Sequence, residues 1–129
     1  MGNIDLKKAS VSLMEDGIIH IHIKDQSEIE LSDAVLIFEA MEKLCGGEKH
    51  PVLIDAGEFS SIDKEARMFA ASMESNIFTL ADGIAYLNLA QKLLAEFYLK
   101  NNKPVVPTKV FSNRQDAIVW LNEIAQKVN

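Results

Sequence analysis

A single cysteine, Cys45, leaves no partner for an intramolecular disulfide, so the expected setting is the reducing cytoplasm. No apolar run approaches the roughly 18–20 residues needed to cross a bilayer. The first residues also lack the apolar segment of a signal peptide, so membrane insertion is not expected. Met1-Gly2 opens a myristoylation pattern, but that pattern needs Ser or Thr at the sixth position, where Leu6 stands. Positive charge is scarce: 13 Lys and Arg face 19 Asp and Glu, a formal net charge of −6, with the basic residues dispersed. A nucleic-acid surface needs a concentrated basic face, so that class of partner is excluded. Gly-rich phosphate loops, nucleophile elbows, zinc-protease helix motifs, internal repeats and low-complexity segments are all missing.

What is there reads as one globular domain spanning 1–129, with an apolar fraction of 48% sufficient for a single core. Residues 3–10 are mixed and polar, and a loose start is expected. Val11-Ser12-Leu13-Met14 and Ile18-Ile19-His20-Ile21-His22-Ile23-Lys24 flank Asp16-Gly17, a strong hairpin signal. The second run alternates, with Ile19, Ile21 and Ile23 on one face and His20, His22 and Lys24 on the other. Ser32 or Asp33 is positioned to cap a helix through Leu44, with Leu36, Ile37, Ala40, Met41 and Leu44 along one face, and Gly46-Gly47 ends it.

The central stretch follows. Residues 52–54 (Val-Leu-Ile) make a short buried strand that ends in Asp55. A small loop with Gly57, Ser60 and Ser61 leads into a helix from Asp63 to about Phe78, with Ala66, Phe69, Ala70, Met73 and Ile77 as its stripe. Asp82-Gly83 marks a turn, and residues 84–87 read as a strand buried on both faces. Asn88 caps a third helix with Ala90, Leu93, Leu94 and Phe97 inward, which Asn101-Asn102 and Pro104 terminate. Residues 105–111 form a strand that Pro107 pushes to the sheet edge or delays to Lys109. Ser112 or Asn113 caps a last helix that turns Ala117, Ile118, Leu121, Ile124 and Ala125 to the sheet, Trp120 beside them. The fold class is therefore α/β, with a mixed, mostly parallel five-stranded sheet, four helices and the order ββαβαβαβα.

That order, over essentially the whole chain, resembles the STAS domain, the fold of bacterial anti-sigma-factor antagonists and of the cytoplasmic ends of sulfate transporters. Val52-Leu53-Ile54-Asp55 matches the family's strand and terminal Asp, and Ile62-Asp63 matches its apolar-Asp pair. The Ser-Ser-Gly that follows in the family falls here on Lys64, Glu65 and Ala66. The serine that the partner kinase phosphorylates is thus replaced by a lysine, which cannot accept the phosphate. The Lys64-Glu65-Ala66-Arg67 helix start, Asn102-Lys103-Pro104 and Ala117…Trp120-Leu121 are similar to a diverged branch of uncharacterised bacterial STAS-like proteins.

The resemblance implies a non-enzymatic regulatory module that binds a protein, an anti-sigma factor or another regulator, through Asp55, Gly57, Glu58, Ser60, Ser61, Asp63, Lys64, Glu65 and Arg67. Ser60 and Ser61 are the substitute phosphoacceptors, weighed against the ordinary use of loop serines in local backbone bonds. Asp63 suits a helix cap, and Glu65 the positive end of the helix dipole. The alternative is a small apolar-ligand carrier, since some STAS-like proteins look similar to CRAL-TRIO lipid-binding domains. The apolar second and third helices would supply its cavity. A homodimer is left open. No catalytic residue, cofactor or metal is expected: His20 and His22 suit the wet face of a strand, and His50 is distant in sequence. Cys45, at a helix C-terminus, suits a small core position.

Overall fold

Asp16 and Gly17 reverse the chain, Gly17 in the left-handed region at φ 87°, and join two strands in antiparallel register. In the computed structural model, which describes residues 2–128, these are β2 (Ala9–Leu13) and β3 (Ile19–Ile23). A further strand, β1 (Gly2–Asp5), pairs antiparallel with β2 where a loose start was expected, so the main sheet has six strands rather than five. The difference rests on Ile4 and Leu6, which pack on the cluster around Val11. Two apolar residues in a polar stretch are too few to read as alternation.

From β3 onward the sheet is parallel. β5 (His50–Ala56), β7 (Thr79–Ala85) and β8 (Thr108–Phe111) follow in the order β1-β2-β3-β5-β7-β8. A separate parallel pair joins β4 (Glu28–Ile29) to β6 (Ser61–Ile62). The helices are α1 (Leu31–Cys45), α2 (Lys64–Ala71), α3 (Leu89–Asn102) and α4 (Arg114–Val128), with a 3-10 turn at Glu74–Asn76.

The two sheet faces are dressed differently. On one, Ile21 and Val52 meet Ala40 and Met41 of α1, and α2 and α3 continue that layer. On the other, Leu53, Ala81 and Ala85 pack under Ala117 and Leu121 of α4. Cys45 is buried in the first of these clusters, the small core residue expected of it.

Local chemistry explains the departures from the expected boundaries. The first helix starts earlier: Glu30 is its N-cap, and the Asp33 carboxylate accepts the Glu30 N–H at 2.9 Å. Asp82-Gly83 is no turn but lies mid-strand. A Cβ on Gly83 would meet Leu121 Cδ1 at 3.2 Å and Ala117 Cβ at 3.4 Å, so glycine lets α4 seat closely on β7. The second helix stops at Ala71 rather than near Phe78. Asn76 folds back and donates to the carbonyls of Ala70 at 2.8 Å and Ser72 at 2.6 Å, satisfying acceptors that a continuing helix would have used. Met73 and Ile77, expected inward, are therefore exposed.

On α3, Ala95 is the buried residue, whereas Leu93, Leu94 and Phe97 are about half exposed, so the apolar stripe expected inward lies at the surface. Asn88, Asp63 and Asn113 cap α3, α2 and α4 as expected, accepting N–H groups at 2.8–3.0 Å. Among the described residues, no helix is long and apolar enough to cross a membrane.

Candidate functional site

The loop between β5 and β6 is tied down on several sides. Gln91 of α3 donates to the carbonyls of Ala56 at 3.1 Å and Gly57 at 3.0 Å. The Ser60 hydroxyl donates to Gly57 O at 2.9 Å, and the Glu58 N–H donates to the Asp25 carboxylate at 3.1 Å. A Cβ at Gly57 would come within 2.8 Å of the Asp25 backbone nitrogen, so only glycine fits beneath that contact. At the tip, Phe59 is held in the left-handed region at φ 59° with its side chain 82% exposed. A bulky aromatic in that conformation is strained, and tertiary contacts must hold it there.

Behind this loop lies a cavity of about 240 Å³ between the sheet and helices α1, α2 and α3. Ile21, Ile54, Met41, Phe38 and Phe69 make an apolar wall, within which Phe38 packs edge-on against Phe69. Leu94, Phe97 and Ile62 both line the cavity and reach solvent, which places its mouth between α2 and α3. Polar groups interrupt the wall, Asp82, Tyr98 and Arg67 among them. Asp82 is buried, and burial alone, with no offsetting hydrogen bond or cation, pushes its carboxyl up to about 7. Burial, with the Asp82 charge nearby, raises the Tyr98 hydroxyl. Arg67 lies over the Phe97 ring at 5.5 Å and donates to Ile62 O at 2.6 Å, while its Nε is buried without a partner.

The opposite face carries a second constellation. Side chains alternate along a strand, so His20 and His22 share one face of β3, and the parallel register sets Asp55 of β5 beside His22. His20 Nε2 stands 3.0 Å from Asp55 Oδ2, and His22 Nδ1 stands 2.6 Å from Oδ1. Arg114, the first residue of α4, brings its Nε to 2.5 Å from Oδ2. Burial of Asp55 would raise its carboxyl, but hydrogen bonds from both imidazoles, the His20 charge and Arg114 outweigh it and hold it at about 2. Within the described residues, His20, His22 and Asp55 offer one ligand atom each, all within 4.8 Å of one another.

Comparison with known proteins fits this geometry to a family. The family model described as "Domain of unknown function (DUF7793)" matches residues 12–125. The chain belongs to the DUF7793 family. A solved structure of similar shape is an uncharacterised protein of the DUF3478 family with a SpoIIAA-like fold, from Shewanella loihica PV-4. It is 17% identical, with a TM-score of 0.61 over 88% of this chain and 91% of that one. The fold is therefore SpoIIAA-like, the STAS-like architecture expected from the element order. A search of curated proteins finds no match.

In this DUF7793 chain the expected surface residues divide three ways. Glu58, Ser61, Lys64 and Glu65 are exposed, as is Phe59, and Asp63 caps the helix that Lys64 begins. Gly57 and Ser60 serve the loop's internal bonding. Asp55 and Arg67 leave the patch: Asp55 turns to the His20–His22 face, and Arg67 turns in over Phe97. His50, the third histidine, is separate; its ring nitrogens face the carbonyls of Gly17 at 2.8 Å and Cys45 at 3.1 Å.

The juxtaposition of His20, His22 and Asp55 is not local in sequence; its usable signal is parity, an acid on the same face of the adjacent parallel strand.

Proposed function

We propose that this chain is a non-enzymatic regulatory module that binds a protein partner through the 57–65 surface, in the manner of an anti-sigma-factor antagonist. The observation that carries the reading is Phe59: a loop held by Gln91, Ser60 and Asp25 presents an almost fully exposed aromatic at the end of β5. An exposed aromatic on a rigid platform loses little entropy on docking, which favours recognition. Exposed Lys64 and Glu65 open the helix that follows the loop and would set charge specificity for the partner, an anti-sigma factor or another regulator. With Lys64 at the family's phosphoacceptor position, control by a serine kinase falls to Ser61, whose hydroxyl is exposed, rather than to Ser60, whose hydroxyl already donates to Gly57 O. The setting is cytoplasmic and bacterial.

A photo-crosslinking residue at position 59 of the full chain tests the reading in cells. A discrete adduct that Lys64→Glu abolishes supports it. An adduct pattern unchanged by Lys64→Glu, or no adduct, overturns it.

The cavity favours a second reading, a carrier of a small apolar ligand with one hydrogen-bonding group. It has an apolar wall, a mouth between α2 and α3, and Asp82, Tyr98 and Arg67 Nε for a polar head. Native mass spectrometry of the purified chain decides this reading: an added non-covalent mass of a few hundred daltons supports it. A clean mass after incubation with fatty-acid and isoprenoid mixtures sinks it.

A further inference from the structure

We propose that His20, His22 and Asp55 form a binding site for a first-row divalent transition ion, on the sheet face away from both the loop and the cavity. The donor set is two imidazoles and one carboxylate, a combination that zinc and non-haem iron sites use with further positions open to water. The three donors come from two adjacent interior strands of the sheet, β3 and β5. Their backbones are fixed by the parallel ladder and by buried Ile19 and Leu53, so little reorganisation separates the free from the loaded arrangement.

The spacing suits an ion. Ligand atoms at about 2.0–2.1 Å from a tetrahedral zinc stand about 3.3 Å apart. Here one ring nitrogen of each histidine and one Asp55 oxygen lie within 4.8 Å of one another, and His20 Nε2 stands 3.0 Å from Oδ2 while His22 Nδ1 stands 2.6 Å from Oδ1. Closing the widest of these separations by up to about 1.5 Å brings all three to the spacing of a bound ion.

Arg114 completes the arrangement without occupying it. Its Nε bonds Asp55 Oδ2, the oxygen that His20 Nε2 also approaches, and holds the carboxylate in orientation, as outer partners of metal ligands do; Oδ1, 2.6 Å from His22 Nδ1, is the oxygen assigned to the ion. On this face α4 packs over β5 and β7. Ser10 and Ser12 of β2 stand opposite His22 and His20. The side chains of His20 and His22 remain 18% and 35% exposed, which gives an ion and its remaining water ligands an entry.

In the metal-free protein the imidazole nitrogens nearest Asp55 serve as N–H donors to the carboxylate. An ion needs their lone pairs instead. A neutral ring then moves its proton to the other ring nitrogen, and a charged ring releases one to solvent.

The test is calorimetric titration of the EDTA-stripped full chain with Zn2+, alongside the visible spectrum of the Co2+ complex. One ion per chain is expected, with a Co2+ spectrum of nitrogen and oxygen ligation. His22→Ala, at the more exposed ring, should weaken binding about tenfold or more and remove that spectrum while circular dichroism stays native. His50→Ala should leave both unchanged, because that ring faces carbonyls elsewhere. The proposal is overturned by the absence of saturable one-to-one binding, by binding that survives His22→Ala, or by a Co2+ spectrum of sulfur ligation at Cys45. These readouts do not depend on the partner-docking or cavity readings.

Discussion

Asp55 and Asp82 sit on neighbouring strands of the same sheet, point to opposite faces, and are both nearly excluded from water. Their carboxyls are nevertheless driven in opposite directions. Around Asp82 nothing offsets desolvation, so its carboxyl rises to about 7 and holds a proton far into the neutral range. Around Asp55 two imidazoles and a guanidinium outweigh desolvation and hold the group ionised down to about 2. Burial alone therefore does not say what a carboxylate does; the inventory of partners within hydrogen-bond reach decides. The same contrast separates the faces. One carries an apolar hollow with an unneutralised acid at its wall, the other a compact, charge-balanced cluster open to solvent.

The largest expected effect comes from removing the uncompensated acid. Asp82 binds its proton more tightly folded than unfolded, so its contribution to stability is whole below about pH 4 and lost progressively as pH rises towards 7. Over roughly three pH units that is on the order of 4 kcal/mol. Asp82→Asn is expected to flatten the decline and to be the more stable form at pH 8. Urea unfolding of both proteins from pH 4 to pH 8 checks it, and parallel curves would break the contrast.

Asp55 should behave with the opposite sign. Its depressed carboxyl gives stability that is whole above about pH 4 and lost as pH falls towards 2. In chelator at pH 7, Asp55→Asn leaves two imidazoles and Arg114 without their anion. A loss of about 1–3 kcal/mol is expected, below that of a fully buried pair because Arg114 is 58% exposed. The variant's deficit should shrink as the wild type is acidified, and chemical denaturation across that range reads it directly.

The smallest effect is expected at the loop. Phe59→Ser removes a side chain that is already in water, so stability should change by no more than about 0.5 kcal/mol. A thermal melt checks this. A large loss would mean that Phe59 packs against the body rather than waiting for a partner.

Parts of this were legible in the sequence for reasons that can be named. Asp16-Gly17 between alternating runs, the caps Asp63 and Asn88, and Ala117 with Leu121 on one helix stripe are local signals, and each survives in the fold. The failures came where local chemistry was overruled from a distance. Asp82-Gly83 looks like a turn, but its glycine is needed for the approach of α4. Ser72 and Asn76 close α2 by side-chain bonds that an apolar stripe running on to Ile77 conceals. Leu94 and Phe97 are apolar because they rim a cavity, not because they are buried. The His20–His22–Asp55 cluster depends on a strand register more than thirty residues long in sequence separation, which no window along the chain contains.

The missing side chain at Gly83 reaches further than one close contact. Because α4 rests on that bare backbone through Ala117 and Leu121, the helix is seated by β7, while the arginine at its first position works on β5. A Cβ added at residue 83 would stand 3.2–3.4 Å from Leu121 and Ala117, so the helix that carries Arg114 would have to give by a few tenths of an ångström. The electrostatics of one strand are thereby hostage to an absent methyl on the next.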